Sequence, residues 1–301
     1  MNSIPTFALP KMKLLLKGFS TLCLLWLISM QYSCNKEAKE PSYIQIDTFL
    51  LSTDYSTQGS ASHGINTAWI YVNDNPIGVF ELPCKVPVTS LGEVNVSVFP
   101  GIKANGISST RVQYPNFKAY TTTAILKADS TCLINPSTTY FSSTEFPYRE
   151  AFENPGVMLE PTSISEEGLQ IVKTTNASEV FEGSSSGKVV IDASHSFIEF
   201  ATTQAYSLPS SSSVPVFLEL NYKSNHNIRL GIYAEGQTAE VQEEIGGLNP
   251  TDSWKKVYIY LTPKLQNYSG ADFRIYFGIL RDSSSPEVIT AYFDNLKIVH
   301  P

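Results

Sequence analysis

What the chain lacks narrows its chemistry. It has no nucleophile elbow, in which the serine of G-x-S-x-G sits between a strand and a helix. It also has no C-x-x-C or H-E-x-x-H metal pair and no G-x-x-x-x-G-K-[ST] or G-x-G-x-x-G phosphate loop. The histidines His63, His195, His226 and His300 stand apart, and His63, in Ser62-His63-Gly64, has no second ligand at metal spacing. Glu243-Glu244 is an acidic pair expected in a loop, where neighbours on extended chain point apart. A glycosidase with two distant acids leaves no local signature, but two small domains leave little room for a cleft. A non-catalytic protein is expected.

Positive charge is also scarce. Only 16% of residues are charged and the formal net charge is −7. No Lys/Arg cluster offers a footprint for phosphate backbones, so nucleic acid is not an expected partner. A hydrophobic fraction of 42% still supplies a real core, and 301 residues suit two domains. Nowhere is a period of 3.6 sustained. Tyr, Phe, Val, Ile and Thr fill strands while Ser, Asn, Gly and Pro fill turns, the balance of an all-β protein.

No apolar run is long enough to span a bilayer. Lys13-Leu14-Leu15-Leu16-Lys17 is followed by an apolar stretch from Phe19 to Met30, the length of a signal-peptide core. Met12 is the expected start, because Asn2 to Lys11 adds nothing a signal peptide requires. The leader holds Lys11, Lys13 and Lys17 and no acid, so its loss takes the charge from −7 to −10. Its end, Gln31-Tyr32-Ser33-Cys34, resembles a bacterial lipobox, with Gln31 departing from the usual leucine. The resemblance implies a signal peptide over residues 1–33, lipid attachment at Cys34 and a polar tether over 34–41. An outer-membrane lipoprotein is implied, facing the cell surface or the periplasm, its acyl chains holding it at the membrane.

The body is expected as two β-sandwich domains in tandem, over residues 42–140 and 148–301, with a Ser/Thr/Pro-rich linker over 141–147. In the first, Tyr43-Ile44-Gln45-Ile46-Asp47, Trp69-Ile70-Tyr71-Val72, Ile77 to Leu82, Val94 to Val98 (ended by Pro100-Gly101), Thr121 to Leu126 and Thr131 to Ile134 read as strands. Trp69 is expected in the core. Cys84 and Cys132 are the two cysteines left after Cys23 and Cys34; both a disulfide and two buried thiols are open. The run WIYVNDNPIGVFELP…GEVNVSVFPG, within Trp69 to Gly101, resembles an Ig-like module of the PEGA or carboxypeptidase-regulatory type. Such modules are structural or adhesive.

Eight strands are expected in the second domain: Gly168–Lys173, Lys188–Asp192, Phe197–Ala201, Val216–Lys223, Ile228–Glu235, Lys256–Leu261, Phe273–Leu280 and Ala291–Val299. REAFENPG, SWKKVYIYLTP and AYFDNLKIV, spread over Tyr148 to His300, resemble the galactose-binding-like jelly roll of carbohydrate-binding modules. The resemblance implies a buried Trp254 and a possible structural calcium at Glu153 and Asp294.

Strand alternation divides the second domain into two sides. Leu218, Leu220, Tyr222, Leu230, Ile232, Val257, Ile259, Leu261, Ile275, Phe277 and Ile279 form a core set. Opposite lie Glu219, Asn221, Arg229, Tyr233, Glu235, Tyr258, Tyr260, Arg274 and Tyr276. Glu219, Arg229, Tyr233, Tyr258, Tyr260, Arg274 and Tyr276 are the candidate ligand-binding residues, since sugars stack on aromatic rings and bond planar polar groups. A glycan is the favoured ligand. The alternatives are a face packed on the first domain, or an accessory subunit docking onto an envelope protein.

Overall fold

The structure, a computed structural model, describes residues 40–236 and 240–301. The leader, Cys34 and most of the tether lie outside the described residues. Residues 41–301 make one compact unit, and it is all-β, with two four-residue helices among the described residues.

The first sandwich comprises β1 (Ser42–Ile46), β2 (Leu50–Leu51), α1 (Tyr55–Gln58), β3 (Thr67–Val72), β4 (Asn75–Glu81), β5 (Cys84–Val88), β6 (Gly92–Lys103), β7 (Arg111–Gln113), β8 (Tyr120–Leu126), β9 (Thr131–Leu133) and β10 (Ser137–Thr138). A three-stranded sheet, β5-β1-β9, packs on a five-stranded one, β4-β3-β6-β7 with β8 also on β6. Ile44, Ile46, Val86 and Val88 from the small sheet meet Ile70, Val72, Val96 and Val98 from the large one. Asn73 (φ 49°) and Asp74 (φ 62°) form the two-residue turn between β3 and β4; both are left-handed, which Asn and Asp tolerate.

Two expectations fail in this sandwich. Pro100-Gly101 does not end β6, which continues to Lys103. Pairing with β8 stops at Val98↔Tyr120 and pairing with β7 starts at Gly101↔Gln113, so Pro100 falls in the gap between them. Its missing N–H is not needed there. Trp69, expected in the core, lies half-buried on the outer face opposite Phe99, because Ala68, Ile70 and Val72 take the inward positions. The indole crosses Gly101, where an added Cβ would sit 3.1 Å from Nε1.

The second sandwich comprises β11 (Glu145–Glu150), β12 (Leu159–Pro161), β13 (Val172–Thr174), β14 (Ser186–Ile191), β15 (Phe197–Thr202), β16 (Tyr206–Ser207), β17 (Phe217–Ser224), β18 (Ile228–Glu235), β19 (Val241–Leu248), β20 (Thr251–Tyr260), α2 (Thr262–Leu265), β21 (Asp272–Leu280) and β22 (Ile289–His300). The proximal sheet, beside the first sandwich, runs β13-β14-β22-β17-β20, with β11 on β22. The distal sheet runs β12-β15-β21-β18-β19, with β16 on β21. All eleven residues of the expected core set lie in one buried cluster between these sheets, each large side chain worth roughly 1.5–3 kcal/mol on burial. Strand β11 already begins at Glu145, inside the stretch expected as a linker. Trp254 is not in this core; it is half-buried on the outer side, against Phe181 and Tyr292.

Candidate functional site

The outward residues of the second sandwich belong to two sheets with different neighbours. On the proximal sheet, Glu219, Tyr258 and Tyr260 meet the first sandwich. Glu219 is 0% and Tyr258 1% exposed, so neither can reach a ligand in solution. Tyr260 is half-buried and packs on Phe217 with ring centroids 5.0 Å apart. These three candidates are interface residues.

The interface has a charged centre. Tyr114 and Tyr140 of the first sandwich donate their hydroxyls to Glu219 Oε1 at 2.7 and 2.8 Å. Lys256 Nζ lies 3.3 Å and Lys297 Nζ 3.9 Å from Oε2. Burial pushes the Glu219 carboxyl up, but Lys297, Lys256 and the tyrosine hydroxyls outweigh it and hold it below the usual range. Lys297 also donates to the backbone oxygens of Gln58 and Ser60, at 3.1 and 3.2 Å. Around this centre Phe217, Tyr258 and Val299 join the first sandwich's core. The turn after β6 caps the edge strand β20: Asn105 N donates to Tyr258 O at 2.7 Å, and Tyr260 N to Asn105 Oδ1 at 2.8 Å.

On the distal sheet the outer face is open. Cross-strand register sets Glu199, Gly278, Arg229 and Gly247 in one row, and Ala201, Tyr276, Gly231 and Glu244 in the next. Gly278 leaves a trough in the first row, while the tyrosine rings cover Gly231 and Ala201 in the second. A Cβ on Gly231 would meet the Tyr276 ring at 2.5 Å, so glycine there lets that ring lie flat on the sheet. The resulting groove, of about 290 Å³, has Gly278 and Tyr276 in its floor and Ile164, Phe197, Arg229, Gln242 and Glu244 around it.

Polar groups in the groove are held in place. Glu199 accepts from Tyr233 Oη, from Thr162 Oγ1 at 3.0 Å and from Gln242 Nε2 at 2.7 Å. The Tyr276 phenol is pushed up to about 12 by burial and the charges of Glu244 and Glu199, so it stays a neutral donor. Arg229 and Glu244 are exposed, and Ile164 is 56% exposed. Of the seven candidates, Arg229 and Tyr276 line this groove. Tyr276 and Tyr233 are only 4% and 7% exposed, so neither offers a ring face for stacking; Phe197 and Ile164 supply the apolar contact instead. Arg274 lies over the Tyr233 ring at 5.4 Å and pairs with Glu235 at 2.8 Å.

Reading the sequence missed Glu199, Gln242, Glu244 and Phe197. Glu243-Glu244 is in strand β19, not in a loop, and its two side chains do point apart: Glu243 binds Lys264 and Tyr268, while Glu244 faces the groove. The alternation of Val241, Glu243 and Ile245 against Gln242 and Glu244 is the signal that identifies the strand.

Glu153 and Asp294 do not fit a calcium ion. Glu153 accepts from Ser184 N at 2.8 Å, Ser185 N at 3.1 Å and Ser184 Oγ. Asp294 accepts from Ser186 Oγ at 2.5 Å and Asn295 N at 2.7 Å. Protein donors thus fill the positions that a cation's six or more oxygen contacts would require, and the described residues contain no group of three or more His, Cys, Asp or Glu able to hold a metal. Burial instead raises Asp294 to about 7. Gly183-Ser184-Ser185-Ser186-Gly187 spells G-x-S-x-G, yet it leads into β14 rather than a helix, and Ser185 Oγ donates to Phe152 O at 2.6 Å.

Cys84 and Cys132 are free and half-buried. They face Ile46 and Ile44 from opposite sides of β1. Two strand spacings of about 4.8 Å separate them, beyond the reach of a disulfide.

Solved structures that match include carbohydrate-binding modules. The family 30 module of a cellulosomal cellulase of Clostridium thermocellum is 12% identical, with 51% of this chain and 92% of that one covered, at a TM-score of 0.33. A family 61 module in complex with β-1,4-galactotriose is 12% identical, covering 46% and 85%, at 0.30. The enzymatically active domain of bacteriophage CBA120 tailspike protein 4 is 13% identical at 0.35; 46% of this chain matches only 18% of that one. No protein-family model and no curated relative matches.

Proposed function

We propose that this protein is a non-catalytic, lipid-anchored envelope protein that binds a glycan in the groove on the distal sheet. One observation carries the reading: Gly278, between Glu199 and Arg229, opens a groove in an otherwise polar sheet face, beside the Tyr276 ring that covers Gly231. Around that trough Arg229, Gln242 and Glu244 present planar hydrogen-bonding groups next to Phe197 and Ile164. Sugars need this mixture, with hydroxyls satisfied by planar donors and acceptors and C–H faces resting on apolar side chains. Glu199, the buried carboxylate beneath, is occupied by three protein donors, which suits a structural acceptor rather than a catalytic acid. The envelope address rests on the lipobox-like Cys34 and the basic, apolar leader before it.

The test is a glycan-array screen of the full chain beside the variant Phe197→Ala/Arg229→Ala. Binding to a glycan class that the double variant loses, with an unchanged melting temperature, supports the reading. Absence of binding across neutral and charged glycans would overturn it and favour the accessory-subunit reading.

A further inference from the structure

We infer that a second binding site, for a sulfate or phosphate group, lies in the groove between the two sandwiches. This groove, of about 400 Å³, runs between the first sandwich's loops and the edge strand β20. Lys103, Lys255 and Lys256 line it together with Asn66 and Ser108, and no carboxylate is among its lining residues. That lining is unusual in a chain with 28 acids to 21 Lys and Arg.

Charge counting around the groove leaves positive charge uncompensated. Glu81 is shared by Lys103, at 3.4 Å, and Arg111, so one carboxylate faces two cations. Glu219 lies between Lys256 and Lys297, and Glu182 and Asp294 also act on Lys256, so this buried cluster adds no free charge to the groove. Lys256 Nζ is buried against Glu219 Oε2, so only the stem of this lysine lines the groove. Lys255 is exposed and has no ion pair among the described residues. Because β20 is an edge strand, side chains from both of its faces reach the groove.

Two net positive charges, on Lys255 and on the Lys103–Arg111–Glu81 cluster, thus face a recess between low-dielectric walls, which concentrates their field on an anion. Lysine supplies point charges without the planar fork that selects carboxylates, and Arg111 is already taken by Glu81. A compact anion held between the Lys103 and Lys255 ammonium groups matches this arrangement, and the volume leaves room for a sugar-sized carrier. The site is separate from the distal groove and does not depend on it.

The test is calorimetric titration of the full chain, at low salt, with dextran sulfate, inorganic sulfate, inorganic phosphate and uncharged dextran. Dextran sulfate is expected to bind and uncharged dextran not to. Lys103→Gln/Lys255→Gln should weaken binding at least about tenfold, while Lys118→Gln/Lys127→Gln, at exposed positions elsewhere, should leave it unchanged. Comparable binding of the inorganic ions identifies a free-ion site; binding of the polymer alone identifies an ester on a chain. The inference is overturned if the groove variant binds as the unaltered chain does, if the control pair weakens binding equally, or if no charged probe binds.

Discussion

The two outer faces of the second sandwich start from similar residues and end differently. Each carries tyrosines and one buried glutamate, Glu219 on the proximal sheet and Glu199 on the distal one. On the proximal face two ammonium groups and two phenols from both sandwiches converge on Glu219, and the first sandwich covers them. On the distal face Glu199 is held by neutral donors, Tyr233, Thr162 and Gln242, beside an open groove. A buried carboxylate with cationic partners ties domains together. One with neutral partners only fixes a surface.

The comparison predicts a graded series. The largest effect is expected from Glu219→Ala, which strands two buried lysines and should cost about 3–5 kcal/mol of unfolding free energy, read by urea titration at neutral pH. Asp294→Asn, on the proximal face, should act in the other direction. The raised pKa means that the folded state holds this proton more tightly than the unfolded chain. The stability it contributes is present below the ordinary value of 3.8 and is lost as pH rises through about 7. The variant should therefore melt roughly 5 °C above the unaltered chain at pH 8 and show no gain at pH 3.5.

Glu199→Ala is expected to cost about 1–3 kcal/mol, because neutral donors lose an acceptor but no charge is stranded. A cost equal to that of Glu219→Ala would break the comparison. Smallest of all, Phe197→Ala and Arg229→Ala should change stability by no more than about 0.5 kcal/mol, as partly exposed positions do, while removing glycan binding.

Alternation along the strands revealed the core because period-two burial is local: Leu218, Leu230, Val257 and Ile275 all point inward as their neighbours require. The same alternation placed Glu219 and Arg229 together, although β17 and β18 lie in different sheets. Period two records which side of a strand a residue takes, not which sheet holds the strand or what covers it. Strand β19 was hidden by Gly246-Gly247, whose flexibility resembles a loop until register with β18 pairs both glycines and shows a bulge at the adjoining Ile245. Trp69 shows the converse: a large apolar residue on the outer face, tolerated because Gly101 leaves room beneath the indole.

Strand β22 comes last among the strands and sits at the middle of its sheet, with β17 along one side and β14 and β11 along the other. Until residues 289–300 have been synthesised, β14 and β17 have no partner between them, and β11 must wait for a strand well over a hundred residues downstream. Such long-range pairing folds slowly. The second sandwich therefore closes only once residues 289–300 are available, and until then β11, β14 and β17 each keep one edge without its final partner.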